Sequence, residues 1–558
     1  MNDRHKGEVF LNVDTRKRRE MERSYETISP FEFKDELIRL AKEHEKKPMR
    51  TMLNAGRGNP NWIAAAPREA FFALGEFALS ESRRVWDEGN LAGMPDPIGI
   101  AKRFTTYANE HSDRPGMSLL VQIVDWGIFE LGFDPDNWVH ELADGLIGDN
   151  YPEPDRMLVH MEKVVHQFLV KRLYPMEEHG ADTKMKTFDL FAVEGATAAM
   201  CYLFDSFLAN HLLSPGDRIA VMVPIFPPYL EIPQLDRYNF DVVDIRATGR
   251  TDSGMHSWQY PSSELDKLKD RSVRALFMVN PSNPPSVAMD PTSIEYLQDI
   301  VKRDNPDLMI ISDDVYGTFV DGYRSLMVGL PENTIGVYSL SKYFGVTGWR
   351  LGVIAVSKEN VFDTLLSRLP EEQKEELNRR YASLTQHPEK LSFVDRLVAD
   401  SRQVALNHTA GLSTPQQVQM ALFAAFDVLD TENRYQKLTK DICRRRMKLL
   451  YDGLDLKMPE PEYGAYYYTE FDLAWWAAEH YSQAFVDYLQ DNYEPVDILF
   501  RLAENCSIVL LNGGGFRGPT WSIRVSLANL ADEAYSRIGK ELHSVLEEYV
   551  EEWKSASH

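Results

Sequence analysis

Lys342 stands in the stretch Tyr338-Ser-Leu-Ser-Lys-Tyr-Phe-Gly-Val-Thr-Gly-Trp-Arg-Leu-Gly352, with Ser339 and Ser341 just ahead of it and Arg350 eight residues on. An amine held among small hydroxyls, with a guanidinium in the same turn, suits a lysine that forms an imine with an aldehyde whose phosphate is gripped nearby. A lysine that merely solvated a surface would need neither Gly345 and Gly348 nor the apolar runs at 334–340 and 351–356 on either side.

Other apolar runs also end in groups that suit an anionic, aromatic ligand. Gly195-Ala196-Thr197 follows the run 188–193 and opens a helix, where small residues let backbone N–H groups approach a phosphate. By itself this is also the composition of an ordinary tight turn. Asn280-Pro-Ser-Asn-Pro-Pro-Ser286 follows 275–279, and its prolines aim the Asn283 amide rigidly, although a plain proline-rich turn reads the same. Asp313-Asp-Val-Tyr316 follows 308–312. A carboxylate there can keep a pyridine nitrogen protonated and the tyrosine can donate to a ring oxygen; such charged strand ends are also commonly structural.

The elements that must position these residues are short and β-branched: 188–193, 218–223, 240–245, 275–279, 308–312, 334–340 and 351–356. Runs this continuously apolar predict strands buried on both faces, and their alternation with amphipathic stretches predicts an α/β domain with a mainly parallel sheet. In open sheets of that kind ligands sit at the carboxyl ends of the strands, where all of these polar groups fall. Residues 63–145 read as mostly helical, with Phe71, Phe72, Phe77, Trp86 and Trp126 among the apolar positions, and 358–405 as charged and helical. Ser29-Pro-Phe-Glu32 has the form of a capping box and starts the ordered chain; the highly charged residues before it read as a solvated arm. The expected division is a flexible arm over 1–28, a small-domain segment with a helical insertion over 29–150, a large cofactor-binding domain over 151–405 and a C-terminal small domain over 406–558.

The 558 residues, 44% hydrophobic and 26% charged, are ordinary for two or three globular domains. A formal charge of −24 argues against nucleic acid or an anionic membrane as partner. Cys201, Cys443 and Cys506 lie far apart with no metal-binding spacing, and no run is apolar enough to span a bilayer. The expectation is a cytoplasmic protein with no metal.

Lys342 and Arg350, taken with Asp313, Asn283 and Tyr316 in this chain order, resemble the pyridoxal phosphate enzymes of the aspartate aminotransferase fold, fold type I. The resemblance implies a mainly parallel seven-stranded sheet in a large domain and a smaller α+β domain built from the N- and C-terminal segments. It implies pyridoxal 5'-phosphate as cofactor, with Lys342 as the Schiff-base lysine and Gly195, Ala196, Thr197, Ser339 and Arg350 around the phosphate. It further implies Asp313 on the pyridinium, Tyr316 and Asn283 at the phenolic oxygen, and Phe226, in Pro224-Ile-Phe-Pro-Pro-Tyr229, stacked on the ring. Tyr151 is similar to the tyrosine that reaches a neighbouring subunit's phosphate. Arg524, in Ser522-Ile-Arg-Val-Ser526, is similar to the arginine that grips the substrate α-carboxylate. The chain departs from the usual Asn-Pro-Thr-Gly of that superfamily with Asn283-Pro-Pro-Ser286.

Within the superfamily the chain resembles the aspartate 4-decarboxylases. The resemblance rests on Met52-Leu-Asn-Ala-Gly-Arg-Gly-Asn-Pro-Asn-Trp62, the Asn-Pro-Pro-Ser loop, Leu511-Asn-Gly-Gly-Gly-Phe-Arg-Gly518 and the long helical stretch between Trp62 and Tyr151. It implies loss of CO2 from the β-carboxylate of aspartate through a ketimine to give alanine, with side aminotransferase activity, in a dimer or a larger assembly of dimers. Arg57 is the candidate for the distal side of the substrate; Lys34 reads more simply as a solvated helix residue. The three glycines at 513–515 are not read as a phosphate loop. The alternatives are an amino-acid aminotransferase with the same cofactor set and a non-catalytic regulatory protein of the same fold.

Overall fold

The computed structural model describes residues 15–26, 28–45, 52–86, 89–175, 187–252, 254–402 and 411–556. The first helix, α1 (Thr15–Glu26), corrects the expected solvated arm for those residues. Its basic face meets acidic groups almost 500 positions away: Arg18 lies 3.2 Å from Asp497, and Arg19 and Arg23 both lie 2.9 Å from Glu494. Tyr25 packs against Phe33 and Phe500. A charge-dense segment thus docks because its partners come from the other end of the chain. Residues 1–14 and 27 of the same expectation lie outside the described residues. Helix α2 (Pro30–Glu45) begins at the proline of the capping motif.

A two-residue strand, β1 (Leu53–Asn54), leads to helices α3 (Ala65–Val85), α4 (Ile100–Glu110), α5 (Met117–Phe129) and α6 (Pro135–Ile147), the helical block that the sequence predicts. Phe77 and Trp138 are buried in it, whereas Phe72 and Trp86 are exposed. Helix α7 (Val159–Arg172) packs against the sheet that follows through His166 on Phe188 and Phe168 on Tyr338.

That sheet has seven strands: β2 (Phe188–Val193), β3 (Arg218–Val223), β4 (Asp241–Arg246), β5 (Val273–Val279), β6 (Met309–Asp313), β7 (Thr334–Ser339) and β8 (Gly352–Ser357). Their spatial order is β2-β8-β7-β6-β5-β3-β4. The pairs from β4 through β7 are parallel, and β8 lies antiparallel to both β7 and β2. Every residue of β6, β7 and β8 is buried, as strands covered on both faces must be. Alternate residues feed two cores: Val221, Phe277 and Ile311 face the large one, and Met222, Met278 and Ile310 a smaller one. The third, fifth and seventh strands run one residue later than expected. Ladder pairing is the reason for β6: Asp313 pairs with Val279 on one side and Val337 on the other, which keeps its carboxylate at the strand's last position.

The C-terminal segment adds β9 (Tyr468–Asp472), β10 (Ile508–Val509), β11 (Leu511–Asn512) and β12 (Ser522–Ser526). Strands β11, β12 and β9 form an antiparallel sheet, while β10 pairs in parallel with β1. This second α+β unit is therefore built from both ends of the chain. Among the described residues no helix is long and apolar enough to cross a membrane.

Candidate active site

The carboxyl ends of β5, β6 and β7 meet β9 and β12 around a pocket of about 270 Å³. Ser339 closes β7; its hydroxyl donates to Ser341 Oγ at 2.9 Å, fixing the turn from which Lys342 projects. Lys342 Nζ donates to the carbonyl of Gly58 at 3.0 Å. The Tyr467 hydroxyl donates to the same carbonyl at 2.8 Å, so the loop after β1 is pinned directly over the amine.

Arg350 has left-handed backbone torsions, which turn its side chain away from β8 and back toward β2. Its guanidinium donates to the carbonyls of Thr347 and Glu194, both at 2.9 Å. Gly195, at φ 89°, leads into the helix α8 (Ala196–Ala209); a Cβ there would stand 2.6 Å from Arg350 Nη2. The glycine is thus needed both for its torsion and for the approach of the guanidinium. Thr197, Ser339, Ser341, Thr347 and Arg350 line one end of the pocket next to the start of this helix, an arrangement of donors suited to a phosphate.

At the opposite end lies Asp313, 4% exposed. Burial pushes its carboxyl up to about 6, against the pull of the Tyr229 hydroxyl, the Val315 N–H and the Lys342 charge. Asp314 is fully buried too, but its carboxylate is taken by the hydroxyls of Ser312, Ser325 and Tyr323. Strand alternation therefore leaves only Asp313 for the pocket. Asn283 and Tyr316 line the wall beside it, and Phe226 and Phe31 meet edge to face, ring centroids 5.7 Å apart, across its mouth.

Arg524 is 1% exposed. It donates to the Gly56 carbonyl at 2.7 Å and to Asn283 Oδ1 at 3.3 Å, and its guanidinium carbon lies 4.4 Å above the Tyr468 ring. Its Nε is buried and has no partner. A sealed guanidinium with a donor to spare is a site for a carboxylate.

The pocket thus gathers Ala196, Thr197, Phe226, Asn283, Asp313, Tyr316, Ser339, Lys342, Arg350 and Arg524, with Gly195 on its border. Two sequence candidates fall outside it. Arg57 is exposed: the carbonyls of Gly56 and Gly58 turn inward to Arg524 and Lys342, which sends the side chain between them outward. Tyr151 is 72% exposed and lines no part of this pocket; the reach expected of it is toward a second subunit. Lys34 pairs with Asp35 at 3.7 Å, its amine 5.9 Å from the centre of the Phe31 ring. The residues that sequence reasoning missed are Phe31, Gly58, Tyr229, Tyr467 and Tyr468. The run Tyr466-Tyr467-Tyr468 was visible, but Tyr466 takes a left-handed torsion of 56°, so no strand alternation could have assigned sides.

Residues 193–540 match the family model of class I and II aminotransferases. The chain is 47% identical to a bifunctional aspartate aminotransferase and L-aspartate beta-decarboxylase of Pseudomonas sp, over 96% of this chain and 98% of that one. It is 32% identical to an aspartate aminotransferase of Sulfolobus acidocaldarius, over 27% of this chain and 36% of that protein. Among solved structures, a double mutant of Thermus thermophilus aspartate aminotransferase superposes with a TM-score of 0.56 at 16% identity, covering 91% of this chain and 95% of that one, a likeness of fold.

Proposed function

Since the chain belongs to the class I and II aminotransferase family, we propose that it is a pyridoxal 5'-phosphate-dependent enzyme that decarboxylates L-aspartate at its β-carboxylate to L-alanine and CO2, with aspartate transamination as a side activity. The observation that carries this reading is the convergence of Lys342, Asp313, Arg350 and the buried, incompletely paired Arg524 on one pocket. The near full-length likeness to a bifunctional aspartate enzyme supports the reaction.

The residues fit the cofactor. Donors for a phosphate stand at one end, a buried carboxylate for a ring nitrogen at the other, and an amine between them. Pyridoxal phosphate, when bound, supplies an aldehyde that condenses with amines and a ring that withdraws electrons from bonds near the amine-bearing carbon. Arg350, Ser339 and the Gly195-Ala196-Thr197 turn would hold its phosphate, Asp313 would keep its ring nitrogen protonated, Asn283 and Tyr316 would reach its phenolic oxygen, and Phe226 would cover its ring. Arg524 takes the substrate α-carboxylate in a fork that lysine could not reproduce. Lys342 would move the proton at the substrate Cα. Phe31 and the 56–58 loop cover the pocket and exclude water, which leaves the distal carboxylate poorly solvated and eases its loss as CO2.

In the same reading 151–405 form the cofactor-binding domain, with 29–150 and 406–558 making the smaller one. The enzyme self-associates as a dimer or an assembly of dimers, for which the exposed Tyr151 and the exposed Phe72, Leu79, Leu91 and Ile98 of the helical block offer surface. That Cys201, Cys443 and Cys506 form no disulfide agrees with a cytoplasmic location.

The test is to supply aspartate with no 2-oxo acid and to measure CO2 and alanine. Equal amounts of both over many turnovers are expected. Oxaloacetate appearing only when an acceptor is added, with no CO2, would leave a plain aminotransferase.

A further inference from the structure

A second cavity, of about 570 Å³, lies behind the reaction pocket, between the 251–259 loop and the 459–463 segment. Its wall mixes polar groups, His256, Asp290, Glu460, Glu462 and Glu470, with apolar ones such as Met255, Trp258 and Val287. His256 Nδ1 and Glu470 Oε2 are buried there without partners. A space of this size lined by such groups holds water. Among the described residues Tyr468 alone belongs to the lining of both cavities.

Tyr468 is held firmly for that position. Its N–H donates to Ser286 Oγ at 3.1 Å, and its hydroxyl lies 2.9 Å from that of Tyr316. Its ring lies under Arg524, 4.4 Å from the guanidinium carbon, and edge-on to Tyr467 at 4.9 Å. The hydroxyl and the amine both border Gly58: a Cβ built there would be 2.5 Å from Tyr468 Oη and 3.2 Å from Lys342 Nζ. The side chain therefore stands between the hydrated cavity and the atoms that react.

Resting on the decarboxylase reading, this placement has a chemical consequence. Release of oxaloacetate consumes one water and leaves the amino group on the cofactor. Release of alanine and CO2 consumes no water, because Lys342 displaces the product amine. We propose that the Tyr468 side chain is the partition that keeps water of the larger cavity from the bound substrate and thereby sets the ratio of alanine to oxaloacetate. It is a positioning residue, acting on access rather than on bonds.

The experiment compares Tyr468→Ala, Tyr468→Leu and Tyr468→Phe with the wild-type holoenzyme, given aspartate and 2-oxoglutarate, and counts alanine against oxaloacetate. Two products from one bound substrate have a ratio that does not depend on how tightly that substrate binds. Tyr468→Phe, which keeps the ring, should retain the wild-type ratio within about twofold, and Tyr468→Ala should shift it about tenfold or more toward oxaloacetate. Tyr468→Leu falls between them and carries the test if the alanine variant does not fold. A second readout needs no turnover: in the cofactor-free full chain, Lys342 of Tyr468→Ala should be amidinated by methyl acetimidate several-fold faster than in wild type and Tyr468→Phe. An unchanged ratio in folded Tyr468→Ala and Tyr468→Leu overturns the proposal, as does a shift in Tyr468→Phe as large as in Tyr468→Ala. If the wild type releases no CO2, the decarboxylase reading fails and this one with it; CO2 release with unchanged ratios removes this one alone.

Discussion

Tyr229 donates its phenolic hydrogen to Asp313 Oδ2 at 2.8 Å, and the two side chains are sealed from solvent at 1% and 4% exposure. The tyrosine thus partly offsets the burial that pushes the carboxyl up to about 6. In the cofactor-free protein Asp313 keeps its proton between its ordinary value and about 6, where an unfolded chain would have lost it. Its contribution to stability therefore falls as pH rises through that window.

Cofactor affinity should run the other way. Pairing with a protonated ring nitrogen needs the carboxylate, so pyridoxal phosphate should bind more weakly as pH falls through about 6. Tyr229→Phe removes a donor to the carboxylate and should move that midpoint upward. Calorimetric titration of the cofactor at several pH values checks both, and a midpoint unmoved in Tyr229→Phe would refute the role given to that hydroxyl.

Gly58→Ala should slow turnover with little loss of cofactor. The new Cβ would press on Tyr468 Oη at 2.5 Å and on Lys342 Nζ at 3.2 Å, and neither group can retreat without breaking the Tyr316 or Gly58 hydrogen bond. A fall in kcat of about tenfold or more is expected, about 1.4 kcal/mol in the barrier. Steady-state kinetics beside cofactor affinity separate the two effects.

Arg524→Lys should lose about 100-fold or more in kcat/KM for aspartate, because an ammonium cannot supply the fork to a carboxylate while also holding Gly56 O and Asn283 Oδ1. The cofactor's absorbance should remain, since Arg524 faces the substrate end of the pocket. Loss of that absorbance would place the arginine on the cofactor instead.

Gly195→Ala should weaken cofactor binding through Arg350. The methyl would stand 2.6 Å from Nη2 at a backbone torsion of 89°, so either the guanidinium leaves the Glu194 carbonyl or the turn moves. The strained torsion alone costs about 1 kcal/mol or more. Thermal unfolding with and without pyridoxal phosphate should show a smaller ligand-induced shift than wild type.

The parts of the site that were legible in the sequence are those whose requirements are local. Lys342, with Ser339 before it and Arg350 after it, occupies one turn between two buried strands, and such strands leave unbroken apolar runs. Asp313 could be placed because it ends such a run, and Asn283 because it lies four residues past one. The docking of α1 was not legible, since Arg18 reads as a solvated charge until Asp497 is brought to 3.2 Å.

The sequence by itself determined the sheet, the end of the pocket lined by Thr197, Ser339 and Arg350, and the lysine, because hydrophobic period, turn glycines and short spacings act over a few residues. Only the tertiary structure decided what covers them. Lys342 meets Gly58 across 284 positions and Arg524 meets Gly56 across 468, and those contacts fix Gly58, Tyr467 and Tyr468 over the amine while turning Arg57 outward. Contacts at that separation depend on how two distant segments pack, and no local pattern records that.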